Sequence, residues 1–280
     1  MEIPQPLAGM PEEKLILLER RHEYDDVDTY VFKSSKPIPY EAGQYGHVRL
    51  YGMPPDVRAV REFSFASAPH EDPIYFGVDS RSGSPYQQRL KSLQAGDEAG
   101  LFKIKRHMLW PPEKEDVVMI AGGVGITPFR SFLLDRAHKK LPIAVSVIHA
   151  GREFFLYKDE ITKLSDYMTA DREGLSEAIS TSIRGHGDAA YYVAGSPSFV
   201  EAVAKALKQA GVTDVQSDAF KGTCKTKTRL RRVFVFRMKA LRIRAARTHV
   251  LEHLLKSDQD QQDGPDEPNC ASGKDSHVPK

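Results

Sequence analysis

The chain has 280 residues, with 40% hydrophobic and 28% charged side chains and a formal net charge of +2. That length suits two domains better than one, and the composition excludes wholesale disorder. The charge is unevenly placed: residues 221–256 carry a net of +11 and residues 257–280 a net of −4, which leaves −5 of the total to residues 1–220.

Two cysteines, Cys224 and Cys270, are present. They fall short of the four that an all-cysteine iron–sulfur cluster or zinc site needs, so no metal centre is expected. They also make no disulfide framework, which points to a reducing, cytoplasmic setting. The N-terminus has no basic stretch followed by an apolar one, so no secretory signal is expected. The apolar run around Val233–Phe236 is bracketed by arginines, so no transmembrane segment is expected.

Residues 1–110 read as β. Leu15–Leu18 is an apolar run, and 29–33, 46–50, 63–66, 74–78 and 98–104 are strand-like segments split by turns such as Glu41-Ala-Gly-Gln44. Strands this close together predict an antiparallel barrel or sandwich. One helix interrupts them, with Ser84 as its N-cap and Pro85 as its first residue.

Trp110–Glu115, with two prolines and three charges, reads as a linker. Beyond it the pattern changes. Val117–Ile120 is a continuous apolar run, as a strand buried on both faces would be. Helices are expected at 128–139, 154–164 and 198–210, and further strands at 143–148, 190–194 and 215–220. This alternation predicts a parallel α/β sheet over 111–223.

Three segments carry chemistry. In Met119-Ile-Ala-Gly-Gly-Val-Gly-Ile-Thr-Pro128 a buried strand runs into glycines and then into a helix, with Thr127 as its cap and Pro128 at its first position. Such a turn lets a phosphate approach backbone N–H groups at a helix start; alone, it also fits a tight turn that binds nothing. In Tyr191-Tyr-Val-Ala-Gly-Ser-Pro197 a second strand meets a glycine turn, and Ser198 with Glu201 reads as the box capping the next helix. In a parallel sheet, two such turns can line one crevice. In Arg61-Glu-Phe-Ser64, Arg61 and Phe63 share one face of a strand and Ser64 faces the other. An arginine fork suits a pyrophosphate; alone, Arg61 also reads as a surface arginine.

Together and in this order, the three segments resemble the ferredoxin–NADP reductase-like flavoprotein superfamily over about residues 12–223. Arg61, Phe63 and Ser64 match its Arg-x-Tyr/Phe-Ser/Thr pattern, and Ser82-Gly83-Ser84-Pro85-Tyr86 is similar to its phosphate turn. Gly122-Gly-Val-Gly-Ile-Thr-Pro128 matches its nicotinamide-side motif, Gly195-Ser-Pro197 a later loop, and Asp218-Ala-Phe-Lys-Gly222 its closing motif.

The resemblance implies an antiparallel flavin-binding β-barrel in 1–110, a nucleotide-binding α/β domain in 111–223 and an appended tail in 224–280. FAD and NAD(P)H are the implied cofactors. Arg61 with backbone at Gly83 and Ser84 would hold the FAD pyrophosphate. Phe63 would pack on the flavin, Ser64 would bond near N5, and the strand Phe76–Val78 would run along the ring. Gly122, Gly123, Gly125, Thr127, Pro128, Gly195, Ser196 and Pro197 would hold the nicotinamide nucleotide. Arg152 could pair with a 2′-phosphate, but relatives of either nucleotide preference carry arginine there, so NADH and NADPH both stand.

Four departures are visible. Ala194 stands where several relatives carry cysteine, and Thr223 replaces the closing tyrosine. Residues 165–190 look short for a strand and helix, so the sheet is expected to lack a strand. The chain also runs 57 residues past the point, near 223, where most relatives stop.

In that tail Leu230, Phe234, Met238, Leu241 and Ala245 recur at helical spacing among arginines. A basic amphipathic helix within 229–256 could meet an anionic membrane, a partner protein or nucleic acid, or pack on the acidic body of its own chain. Residues 257–280 are expected to be disordered.

The leading expectation is an FAD-dependent oxidoreductase passing hydride from NAD(P)H to FAD and then electrons to a separate acceptor, a ferredoxin-like or other redox protein or a small molecule. The alternatives are a non-catalytic nucleotide-binding or interaction module tethered by its basic tail, and an electron-transfer subunit active only in a complex.

Overall fold

Alternation in the first strand sets the inner surface of the first sheet. In β1 (Glu13–Tyr24) Leu15 and Leu17 are buried, while Ile16 and Leu18 face out. With β2 (Val27–Ser34), β3 (Gln44–Leu50), β4 (Val60–Ser64), β5 (Ile74–Asp79) and β6 (Glu98–Arg106) it forms an antiparallel sheet in the order β4-β3-β6-β1-β2-β5. The computed structural model describes residues 11–220 apart from Pro112.

The sheet curls until its two edges meet. Just beyond β4, the Ala66 N–H donates to the Tyr75 carbonyl at 2.9 Å, and the Phe65 and Phe76 rings lie 5.3 Å apart. Helix α1 (Pro85–Lys91) opens as the sequence predicts: Pro85 is its first residue, and the Ser84 hydroxyl accepts from the Gln87 N–H. Tyr86 and Leu90, one turn apart, fill the barrel end.

The second sheet is parallel. Its strands β7 (Asp116–Gly122), β8 (Ala144–Ala150), β9 (Asp166–Ala170), β10 (Ala190–Gly195) and β11 (Val215–Ala219) lie in the order β11-β10-β7-β8-β9. Central β7 is buried on both faces. Val117, Met119 and Ala121 join Phe129, Phe132 and Leu133 of α2 (Thr127–Lys139). Val118 and Ile120 join Ile179 of α4 (Leu175–Gly185) and Val203 and Leu207 of α5 (Pro197–Gln209). That is why the strand is a continuous apolar run.

Four sequence expectations are corrected. The sheet lacks no strand: residues 165–190 supply β9 and α4. β9 is a short edge strand with three exposed residues, so its own pattern is weak and its pairing with β8 defines it. The helix expected over 154–164 shrinks to α3 (Lys158–Ile161), because Tyr157 adopts a left-handed conformation (φ 59°). Its hydroxyl bonds Thr29 Oγ1 in the barrel at 2.9 Å, so a long-range contact outweighs local helix propensity.

Thr127 is not a cap. Gly123–Ile126 forms a 3₁₀ turn that feeds directly into α2, and the Thr127 hydroxyl donates back to the Val124 carbonyl at 2.5 Å. Nor does Ser198 cap α5. Pro197 takes its first position, so Ser196 is the cap and accepts from the Phe199 N–H.

Arg130 locks the two halves together. This buried α2 guanidinium bonds the Ala66 carbonyl and Glu71 on the barrel side, and Glu160 of α3. Burial alone would lower its pKa, but Glu71 and Glu160 outweigh it and hold the cation charged. Nearby, Ser131 Oγ donates to the Ser67 carbonyl at 2.7 Å.

No helix among the described residues is long and apolar enough to cross a membrane. Thr223, the basic segment 229–256 and the acidic end 257–280 lie outside the described residues.

Candidate functional site

Strand order defines the crevice. From β7 the chain builds outward to β8 and β9, then returns to lay β10 and β11 on the other side of β7. β7 and β10 are therefore the neighbours at which the winding reverses, and ligands of open parallel sheets collect at the carboxyl ends of such strands. Both glycine turns lie at that place: Ala121 pairs with Ala194, and each strand ends in its glycine.

Two glycines there have different physical reasons. A Cβ on Gly125 would stand 2.1 Å from the Ala194 carbonyl oxygen, so only glycine lets the first turn pack against the end of β10. Gly123 has φ +53° and nothing within 4 Å of a Cβ position, so its need is conformational and its outer side is open.

The Phe199 ring lies against both Gly122 and Gly195 and floors the space between the turns. Ser196 and Pro197 are exposed at the rim. Thr127 and Pro128 are buried and shape the turn from beneath. Arg152 is exposed just beyond β8, with no ion-pair partner among the described residues.

The barrel residues assemble as their spacing predicts. The Arg61 guanidinium lies over the Tyr86 ring, 5.1 Å from its centre, and the Phe63 ring is 6.0 Å from the same tyrosine. Arg61 and Phe63 therefore share a face, beside the start of α1. Gly83 is exposed with φ +56°, but its N–H is committed to the Ser80 carbonyl. The start of α1 beside Ser84 is where further backbone N–H groups lack intrahelical partners. The Val78 side chain is buried, and its strand lies at the sheet edge.

Ser64 points the other way, into the α/β half. Its hydroxyl donates to Asp218 Oδ2 at 3.1 Å, across 154 residues of sequence. Both residues are buried. His107 Nε2 lies 3.8 Å from Asp218 Oδ1, and the His107 ring stacks on Tyr45, which pairs with Ser64 in the β3–β4 ladder. Sequence reading found Asp218 as part of a closing motif but did not pair it with Ser64, and it missed His107, Phe199 and His149. Only His149 left a signal: it is the polar residue in the otherwise apolar end of β8.

Residues 119–173 match the family model described as Oxidoreductase NAD-binding domain. The chain is 26% identical over 237 residues to the flavohemoprotein of Bacillus subtilis (strain 168), covering 73% of this chain and 58% of that protein. It is 27% identical over 209 residues to the terephthalate 1,2-dioxygenase reductase component 2 of Comamonas sp, covering 66% and 60%. The chain thus spans about three fifths of the length of these curated relatives.

Among solved structures, a ferredoxin NADP+ reductase from Neisseria gonorrhoeae with bound FAD and NADP superposes with a TM-score of 0.65. It is 17% identical, with 76% of this chain and 100% of that chain covered. A cytochrome P450 reductase of Amycolatopsis also gives 0.65, at 19% identity and 75% and 70% coverage.

A curled antiparallel sheet, a parallel sheet wound from a central strand and two glycine turns at its switch point define the two-domain reductase class of fold. The chain carries an oxidoreductase NAD-binding domain over residues 119–173 and shares the fold of the ferredoxin–NADP reductase-like flavoproteins.

The residues present fit FAD. Arg61 is half-buried with no carboxylate partner among the described residues, and burial, then the neighbouring Arg58, push its pKa down. A pyrophosphate beside Ser84 would relieve that unpaired charge.

Proposed function

We propose that the protein is an FAD-dependent oxidoreductase that takes hydride from NAD(P)H and passes electrons to a separate acceptor. The observation that carries this reading is the Ser64–Asp218 hydrogen bond. It joins the barrel edge next to Arg61 and Phe63 to the sheet whose glycine turns form the nucleotide crevice.

The flavin, when bound, supplies the two-electron to one-electron chemistry. The chain supplies position and proton control. Arg61 and backbone N–H groups at the start of α1 hold the pyrophosphate, and Phe63 offers its ring. The Phe76–Val78 backbone, which faces no further strand, borders the ring system. The Gly122–Gly125 turn, the Phe199 ring and the Gly195–Pro197 turn receive the dinucleotide. The Ser64 hydroxyl donates its hydrogen bond to Asp218, which would leave the Ser64 oxygen lone pairs to accept from an N–H of a bound flavin. Water is kept from that point by the buried side chains of the interface.

The relatives support an acceptor outside this chain. Two from Comamonas sp are named reductase components of terephthalate 1,2-dioxygenase, and one from Escherichia coli is named a carnitine monooxygenase reductase subunit. By likeness, this chain serves an oxygenase or a redox carrier. The same names favour a second reading, a subunit whose turnover is fast only with its partner.

An anaerobic visible spectrum of the FAD-reconstituted protein, before and after NADH and then NADPH, tests the proposal. Bleaching of a bound flavin by either nucleotide is expected. A protein that refuses FAD, or a bound flavin that neither nucleotide reduces, overturns it.

A further inference from the structure

We infer that His149 is a positioning residue that fixes the Gly123–Val124 peptide, and so sets the direction in which the glycine turn presents its N–H groups to a nucleotide. The inference rests on the nucleotide-binding reading above and concerns a residue that reading does not use.

His149 lies near the carboxyl end of β8, opposite Ala121 of β7 and Thr169 of β9. It is fully buried. Its Nε2 is 2.9 Å from the Gly123 carbonyl oxygen, and its Nδ1 is 3.1 Å from the Tyr167 hydroxyl. The Phe155 ring meets the imidazole edge-on.

These partners define one tautomer. A carbonyl oxygen can only accept, so Nε2 carries the hydrogen. In a neutral ring Nδ1 then accepts, and Tyr167 donates to it. Burial keeps the ring neutral by pushing its pKa down to about 4, against the opposing pull of the Gly123 carbonyl. Tyr167 stays protonated because burial raises its own pKa. The hydrogen bonds therefore run one way, from Tyr167 on edge strand β9, through His149 on β8, to Gly123 in the turn after β7.

The end of that chain has a stereochemical consequence. A trans peptide is planar, with its C=O and N–H pointing in opposite directions. A Gly123 carbonyl turned toward His149 therefore aims the Val124 N–H away from it. Gly123 has φ +53°, and no atom lies within 4 Å of its Cβ position, so no side-chain packing at Gly123 itself fixes that peptide. The 3₁₀ turn that follows has hydrogen bonds of poorer geometry than an α-helix. The imidazole supplies a lateral hold on that carbonyl. An apolar residue of the same shape would fill the strand position without burying a polar ring.

The test compares full-length FAD-reconstituted wild type with His149→Phe, His149→Gln and Tyr167→Phe. Calorimetric titration with NAD+ and with NADP+ reads the dissociation constant, and the imidazole ¹⁵N spectrum reads the tautomer. Wild type is expected to bind one nucleotide and to show the neutral Nε2–H form. H149F, which keeps ring volume but loses the donor, is expected to raise Kd about tenfold. H149Q, whose amide can donate to Gly123 and accept from Tyr167, is expected to recover most of that loss. Y167F is expected to raise Kd about threefold and keeps the question open to test if H149F does not fold.

Wild type that binds while both H149F and Y167F bind equally well overturns the positioning role alone. An Nδ1–H form in wild type also overturns it. Wild type that binds neither nucleotide overturns the underlying reading instead, so the two failures are distinguishable.

Discussion

Ser64 Oγ and Asp218 Oδ2 lie 3.1 Å apart, the hydroxyl on the last residue of β4 and the carboxylate on β11. This bond connects the half that carries Arg61 to the half that carries the glycine turns. It gives Ser64 a fixed orientation and its hydroxyl hydrogen a fixed acceptor. Replacing Ser64 with Ala is expected to slow anaerobic flavin reduction by NAD(P)H about 10²-fold while FAD stays bound. Asp218→Asn is expected to slow it as well, and the double variant should lose less than the product of the two, because both act through one bond. Stopped-flow absorbance measures all three. Fully multiplicative losses would separate the two residues.

Arg61 should govern FAD retention rather than rate. It is half-buried and has no anion of its own among the described residues. Arg61→Ala is expected to weaken FAD binding by about 2 kcal/mol, roughly thirtyfold. Arg61→Lys should recover only part, since an ammonium lacks the bidentate fork. Equilibrium dialysis of the apoprotein against FAD reads both. An unchanged affinity in the Ala variant would remove Arg61 from the pyrophosphate site.

The two glycines of the first turn should respond differently to alanine. At Gly125 the new Cβ meets the Ala194 backbone at 2.1 Å, and backbone cannot step aside cheaply. Gly125→Ala is expected to destabilise the fold by about 3 kcal/mol. At Gly123 there is room, and only the left-handed conformation is strained. Gly123→Ala should cost about 1 kcal/mol. Urea unfolding compares them, and equal losses would contradict the packing account.

His149 gives the fold a pH dependence of defined sign. Burial holds its pKa at about 4, below the ordinary 6.5. Between those values the unfolded chain binds a proton at this site and the folded chain does not. Its contribution is therefore complete above pH 6.5 and is lost as the pH falls toward 4. From pH 7 to pH 5 wild type should lose about 2 kcal/mol more than H149F. Urea unfolding of both proteins at the two pH values measures the difference, and equal losses would mean that the ring titrates normally.

Arg130 ties Glu71 of the barrel half to Glu160 of the α/β half. Arg130→Leu leaves two carboxylates facing each other at the interface. The expected loss is about 3 kcal/mol, at the low end for a broken buried pair because both carboxylates keep some water. If unfolding remains one transition with an unchanged midpoint, the clamp carries no stability.

The sequence alone determined whatever depends on local pattern. Two-residue alternation in β1, the continuous apolar run of β7 and the Ser84–Pro85 start of α1 are short-range features, and each appears in the fold. Arg61 and Phe63 share a face because strand geometry allows nothing else. The tertiary structure alone decided whatever depends on distant partners. β9 is a strand because β8 offers it a ladder, and the expected helix over 154–164 breaks because the Tyr157 hydroxyl bonds Thr29 in the other half. Asp218 meets Ser64, and His149 meets the Gly123 carbonyl, only after the parallel sheet is wound. No period or spacing in the chain encodes those distances, because winding the sheet brings together residues that the sequence separates.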